Sequence, residues 1–70
     1  MAEIRAEMVA NVWKVLVSEG DHVDEGDTLV ILESMKMEIP VLAETPGVIT
    51  KLHVAEGDVI QEDELIAEIG

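Results

Sequence analysis

The sequence predicts an all-β sandwich or flattened barrel, and three features support this fold class. Short runs of branched aliphatic residues alternate with turn signals such as Gly-Asp and Pro-Gly along the 70 residues. No apolar run keeps the helical period over a length that would define a helix. The chain also matches itself when it is shifted by 37 residues. Turn signals at this density are typical of antiparallel β-domains.

Five runs rich in Val, Ile and Leu are predicted to be strands. Two of them lead into the tripeptide Glu-Gly-Asp, where Gly20 and Gly57 allow the backbone conformation of a turn. Pro46-Gly47 predicts a further turn. Pro40 has no N–H to donate, so we expect it on a sheet edge or beside a turn. The predicted strands are residues 15–17, 29–32, 39–42, 52–54 and 65–69.

The internal repeat predicts two interlocking halves related by an approximate two-fold axis. Residues 14–25 lie over residues 51–62 with six of twelve positions identical. After these segments we expect the second copy to be one residue shorter, with Asp63 in place of Gly26-Asp27 and Leu65-Ile66 over Leu29-Val30. Such symmetry would place the end of the first half, near Lys36, far from both chain ends.

Alternation along the strands predicts which side chains face the core. In both copies the alternation is interrupted, because Val12 and Ile49 precede the next core residue by three positions and not by two. We therefore expect a bend or bulge at Trp13 and at Thr50. The predicted core residues are Val15, Val17, Val23, Leu29, Ile31, Leu52, Val54, Ile60 and Leu65.

Composition narrows the possible functions. Residues 1–70 are expected to form a single domain, and sixteen acids against four bases give a net charge of -12, which argues against nucleic acid as a partner. No apolar run is long enough to span a membrane, and the absence of cysteine fits the cytoplasm. His22 and His53 are not repeated across the halves, so we expect surface positions for them and no metal site.

The central hexapeptide, Glu33-Ser34-Met35-Lys36-Met37-Glu38, holds one of the chain's four cations. We expect Lys36 at an exposed hairpin tip, and from the residues alone an ordinary solvated lysine remains an alternative. Met35-Lys36-Met37 resembles the biotin attachment motif of the biotinyl/lipoyl attachment family, Ala/Ser-Met-Lys-Met, whereas lipoyl-type domains usually carry Asp-Lys-Ala. The resemblance extends over essentially the whole chain, including both Glu-Gly-Asp turns.

This resemblance implies a flattened barrel of two four-stranded antiparallel sheets, with Lys36 on a tight turn as the cofactor attachment residue. It implies a carrier and not an enzyme. A biotin–protein ligase would join biotin to Lys36, and the tethered ring would move a carboxyl group between biotin carboxylase and carboxyltransferase sites as a swinging arm. We expect Glu33 and Glu38 to be read by basic ligase residues and Met35 and Met37 to form an exposed apolar pad. Ser34 completes the predicted recognition segment.

Two other functions remain open. The chain has no room for the extra loop that some biotin carriers insert between the halves, so lipoate-attaching enzymes could act on Lys36 and make it a lipoyl carrier or a dual acceptor. The second alternative is an unmodified acidic domain that binds protein partners. Two departures from the family pattern bear on stability: residues 6–11 lack the usual Pro and Gly, and Asp63 stands where glycine is usual. We expect a monomer.

Overall fold

The computed structural model describes residues 2–70, and these residues form eight β-strands without a helix. None of the described residues therefore belongs to a helix that could cross a membrane. The all-β prediction is confirmed. The strands are β1 (Ala2–Arg5), β2 (Ala10–Val15), β3 (His22–Val23), β4 (Thr28–Ser34), β5 (Met37–Leu42), β6 (Gly47–Leu52), β7 (Val59–Ile60) and β8 (Leu65–Ile69).

The strands form two four-stranded antiparallel sheets. The sheet that we call the hairpin sheet has the order β5-β4-β2-β7, and the terminal sheet has the order β1-β8-β6-β3. Ala2 pairs with Ile69 in the terminal sheet, so both ends of the described chain lie in that sheet. β5 is an edge strand of the hairpin sheet, which confirms the edge position expected for Pro40.

An aliphatic core fills the space between the two sheets. No polar or charged side chain among the described residues is buried. Burying one Leu or Ile side chain stabilises a fold by about 1.5–3 kcal/mol, so this core supplies the driving force that so small a chain needs. The buried residues are Ile4, Ala6, Ala10, Val12, Val23, Leu29, Val30, Leu32, Ala43, Ile49, Val54, Ile60, Ile66, Ala67 and Ile69.

The backbone hydrogen bonds repeat between the two halves with a constant shift of 37 residues. The Gly26 amide donates to the Ala43 carbonyl at 2.9 Å, and the Asp63 amide donates to the Ala6 carbonyl at 2.7 Å. These two bonds are equivalent only if Asp63 occupies the position of Gly26. The expected one-residue gap at Asp63 is therefore wrong, and the two-fold relation extends into the last strands.

Backbone conformation explains why the sequence suggests a gap at this point. Gly26 has a φ of 91° and Asp63 a φ of 71°, so both positions need the left-handed region. Glycine adopts this region freely, and Asp is one of the few other residues that tolerates it. The glycine signal that would have aligned the two turns is absent from the second copy.

The bends expected at Trp13 and Thr50 are confirmed. The pairing register shifts between Val12 and Lys14 in β2, and between Ile49 and Lys51 in β6. A bulge places two consecutive residues on one face of the sheet. Trp13 and Lys14 therefore both lie on the outer face.

Two of the predicted core residues are wrong. Ile31 and Leu65 are only half-buried, while Val30 and Ile66 are buried in their place. The β4–β5 register shifts between Thr28 and Val30, so that consecutive residues are buried there and alternation counted from Leu29 selects the wrong face. The remaining predicted core residues are buried or pack against the core: Val15, Val17, Val23, Leu29, Leu52, Val54 and Ile60.

Some predicted boundaries also move. β2 and β6 end at Val15 and Leu52, so the predicted strands 15–17 and 52–54 extend past the observed ones. Their last residues lead into turns in which the Asp21 and Asp58 carboxylates accept backbone hydrogen bonds at 2.8 Å and 2.9 Å. The turn expected at Pro46-Gly47 lies earlier, because Gly47 already begins β6.

Candidate functional site

The β4–β5 hairpin turns at Met35 and Lys36. β4 ends at Ser34 and β5 begins at Met37, which leaves only these two residues for the connection. Their φ angles are 52° and 65°, the backbone of a type I′ turn, which normally takes Asn-Gly. A left-handed conformation costs a residue with a Cβ roughly 1–2 kcal/mol. The hairpin therefore carries its lysine on a strained turn.

The two strands below the turn hold it in a fixed register. Ser34 pairs with Met37, Glu33 with Glu38 and Leu32 with Ile39. Leu32 is buried, and Ile39 packs against the core. The core therefore anchors the hairpin three residue pairs from its tip, and the position of Lys36 follows from the register.

Lys36 is exposed at the tip, as the sequence predicted. The two ion pairs found among residues 2–70 join Arg5 to Glu3 and His53 to Glu68, and neither involves Lys36. The ε-amine therefore projects into solvent without a charged partner within the described chain. An external enzyme can reach it without first breaking an internal contact.

The methionines beside the lysine are also exposed. Met35 has 88% of its surface accessible and Met37 58%, the former being the most exposed large apolar residue described. Leaving two flexible thioether side chains in water does not help the fold. Methionine adapts its shape to different apolar surfaces, so these two exposed side chains are available for contact with a partner.

Two carboxylates face each other across the hairpin. Glu33 and Glu38 are exposed and directly paired in the β4–β5 register. Like charges at such positions repel and destabilise a sheet slightly. Ser34, the remaining residue of the predicted recognition segment, is half-buried. The tip therefore presents one cation, two thioethers and two anions within six consecutive residues.

The histidines lie away from the hairpin. His22 is exposed on β3, and the His53 Nε2 lies 2.8 Å from the Glu68 Oε2 on the terminal sheet. Residues 2–70 contain no group of three side chains arranged to hold a metal ion. The sequence did not predict the His53–Glu68 contact, because these residues are fifteen positions apart and only the β6–β8 register brings them together.

Several acids serve the turns of the fold. The Asp27 carboxylate accepts a hydrogen bond from the Asp24 amide at 2.8 Å, and the Glu64 carboxylate accepts one from the Gln61 amide at 3.0 Å. Glu19 and Glu56 also accept backbone hydrogen bonds, from Leu52 and Val15. Part of the acidic composition is therefore structural.

Two surface depressions lie away from Lys36. The more apolar one, about 230 Å³, lies between β5 and the β1–β2 connection. The other is lined mainly by acidic side chains. Lys36 is exposed on a two-residue turn between β4 and β5, an arrangement that presents a side chain to a partner.

Comparisons with known proteins agree with this geometry. A family model described as "Biotin-requiring enzyme" matches residues 2–69. A biotinylated protein TB7.3 homolog of Mycobacterium leprae is 61% identical over 70 residues, 99% of each chain. The structure of urea carboxylase from Kluyveromyces lactis superposes with a TM-score of 0.91 at 33% identity, over 99% of this chain but 6% of that one.

A lipoyl domain has the same fold. The lipoyl domain of the 2-oxoglutarate dehydrogenase complex from Azotobacter vinelandii superposes with a TM-score of 0.85 at 26% identity, over 100% of this chain and 96% of that one. The two-sheet architecture is therefore shared between a domain of a carboxylase and a lipoyl domain.

Proposed function

Because the chain belongs to the biotin/lipoyl attachment family, we propose that Lys36 is the residue on which it carries biotin. The chain is a biotin carrier and not a catalyst. The observation that supports this position for the cofactor is the placement of Lys36 on the two-residue turn of the β4–β5 hairpin, exposed and without an ion-pair partner among residues 2–70. Residues 1–70 act as one attachment domain.

Attachment forms an amide bond between the Lys36 ε-amine and the biotin carboxyl group. The amine loses a proton, and the carboxyl group loses the activating group that a biotin–protein ligase has placed on it. The exposed turn supplies access but no activation, because the amine has no ion-pair partner among the described residues. The ligase must therefore supply both the activated acyl group and the base.

The hairpin tip supplies the recognition that this ligase needs. Glu33 and Glu38 attract basic residues of the ligase, and Met35 and Met37 provide the apolar contact. Ser34 lies between these groups on β4. The repulsion between the paired carboxylates costs the free chain some stability, and a basic partner surface relieves it.

The tethered ring then serves two enzyme sites. A biotin carboxylase loads the ring with a carboxyl group, and a carboxyltransferase removes it; the relative from Kluyveromyces lactis is itself a carboxylase. Tethering raises the local concentration of the cofactor at both sites. The chemistry belongs to the cofactor, and the chain positions it. The chain acts as a monomer in the cytoplasm.

Lipoate at the same lysine is the second candidate, favoured by the lipoyl domain of matching fold. Met35 and Met37 favour biotin, because they reproduce the motif of biotin carriers on both sides of the lysine. An unmodified interaction domain is the third candidate. All three differ in the mass of the purified chain.

The test is the intact mass of the chain after expression with a biotin–protein ligase and biotin. We expect one biotinyl group on the wild-type chain and none on Lys36→Arg, which keeps the charge. Lys51→Arg is the matched control, because Lys51 is also exposed but lies on the terminal sheet, and it should be biotinylated like the wild type. A biotinyl group that persists on Lys36→Arg would overturn the assignment.

A further inference from the structure

The outer faces of the two sheets differ although their backbones are equivalent. The shift of 37 residues relates each position on the hairpin sheet to one on the terminal sheet. At six such positions the hairpin sheet carries an apolar residue and the terminal sheet a polar one; one is Val59 on β7, equivalent to His22 on β3, and the other five form the patch. The apolar patch, as we call it, consists of Trp13, Leu16, Ile31, Pro40 and Leu42, and its equivalents are Thr50, His53, Glu68, Glu3 and Arg5.

Register and burial place the patch on the outer face. Lys14 pairs with Ile31, and Ile31 pairs with Pro40, so these three residues form one row across the sheet. The neighbours of Pro40 in β5, Ile39 and Val41, pack against the core, so Pro40 itself faces outward. In β2 the bulge adds Trp13 to the same side. Trp13, Leu16 and Leu42 are 41%, 53% and 45% exposed.

The terminal sheet satisfies its outer face with polar contacts, and the hairpin sheet does not. Both ion pairs of the described chain, Arg5–Glu3 and His53–Glu68, lie on the outer face of the terminal sheet. On the corresponding face of the hairpin sheet the described residues form one cation–π contact, in which the Lys14 Nζ lies 5.4 Å from the centre of the Trp13 ring. Two pairs of positions show the opposite contrast, Asn11 with Val48 and Thr28 with Leu65, and they do not offset the other six.

The patch includes residues of both strands of the β4–β5 hairpin, which we call the attachment hairpin, but it lies beside the tip that carries Lys36. Ile31 is five residues from Lys36, which corresponds to about 16 Å along an extended strand. A protein bound to this face would hold the carrier and leave Lys36 free to move its cofactor. Glu33 and Glu38 lie between the patch and the tip. A matching surface is therefore apolar, with an acidic group opposite Lys14 and basic groups towards the tip.

We propose that a biotin carboxylase subunit docks on the apolar patch. This inference rests on the proposed function, because it assumes a cofactor on Lys36. A second copy of the chain is a poorer occupant, since each copy carries a net charge of -12 and two copies repel. Trp is also one of the residue types that most often dominate the binding energy of protein interfaces.

The exchange variant Trp13→Thr/Leu16→His/Ile31→Glu tests this inference. It gives the hairpin sheet the residues that the terminal sheet already accommodates at equivalent positions, including the His–Glu pair. The control variant, Thr50→Ala/His53→Ala/Glu68→Ala, changes the same number of residues on the other sheet. Trp13→Thr alone removes one half-exposed side chain and provides a variant with little risk to folding. Thermal unfolding and intact mass establish that every chain is folded and fully biotinylated.

Each biotinylated chain is then the substrate of a bacterial biotin carboxylase subunit that also carboxylates free biotin. We expect kcat/KM for the exchange variant to fall at least tenfold, a change of about 1.4 kcal/mol. The loss should appear in KM, with kcat unchanged, and the control should match the wild type. Trp13→Thr should show part of the loss.

Three results would overturn the docking inference: an exchange variant with the KM of the wild type, a wild-type chain that is used no better than free biotin, or a wild-type dimer in sedimentation that the exchange abolishes. A wild-type chain that accepts no biotin would instead overturn the proposed function.

Discussion

Replacing the attachment turn by its preferred sequence should stabilise the chain while abolishing its function. Met35 and Lys36 have φ angles of 52° and 65°. At roughly 1–2 kcal/mol per left-handed residue, the turn costs about 2–4 kcal/mol. The variant Met35→Asn/Lys36→Gly places the favoured type I′ pair on the same backbone. The greater conformational entropy of glycine in the unfolded chain offsets about 0.5–1 kcal/mol of this gain. Asn in the left-handed region keeps part of the backbone strain.

The expected net gain is therefore about 1–2 kcal/mol in the free energy of unfolding. For a domain of this size about 1 kcal/mol raises Tm by roughly 4–8 °C, so Tm should rise by about 5–15 °C. Little packing is lost, because Met35 is 88% exposed. Thermal unfolding followed by far-ultraviolet circular dichroism measures the shift, and intact mass shows that no biotin is attached.

Met37→Asn is the matched control for this variant. Met37 is also an exposed methionine of the hairpin, but it lies in β5 and has no positive φ. Asn is unfavourable in strands, so this control should leave Tm unchanged or slightly lower. A double variant that melts no higher than the wild type would refute the reasoning, because it would show that the turn stores no strain.

Three further predictions concern other parts of the chain. Asp63→Gly should raise the free energy of unfolding by about 0.5–1 kcal/mol in urea titrations, because glycine relieves the left-handed φ of 71° there; an unchanged midpoint would contradict this. Gly47→Ala should lower the free energy of unfolding by more than about 2 kcal/mol, because the added Cβ would lie 2.7 Å from the Gly70 carbonyl oxygen and from the Ile69 Cγ2. A variant as stable as the wild type would disprove that contact. Glu33→Gln/Glu38→Gln should slow biotinylation at low salt and leave it nearly unchanged at high salt, measured as initial rate, while equal rates at low salt would show that the ligase does not read these charges.

The sequence predicted the fold class and the bends because both depend on local signals. Branched residues, Glu-Gly-Asp turns and a three-residue spacing at Trp13 and Thr50 are each visible within a few positions. The exposure of Met35 and Lys36 followed from their place in a short connection between two strands, and Met37 is the first residue of the strand after it. The attachment role of Lys36 stays a prediction that its mass test will decide.

The predictions of the gap and of two core residues are wrong where a residue adopts a backbone conformation that its residue type does not indicate. Asp63 adopts the turn conformation that glycine adopts at Gly26, so the sequence repeat contains a false one-residue gap there. That false gap, together with the shift between Thr28 and Val30, reversed the inward assignment of Ile31 and Leu65. The contrast between Ile31 and Glu68 was hidden for the same reason, because it is visible only when these two residues are aligned.

Trp13 is the chain's single aromatic residue, and the sheet that holds it is the one that carries the attachment hairpin. Its fluorescence therefore reports on one place in the molecule without any label. A protein that covers this indole should shift the emission to shorter wavelength, whereas one that touches only the opposite sheet should leave the spectrum unaltered. The intrinsic fluorescence of the unlabelled chain therefore reports which of the two sheets a bound enzyme covers.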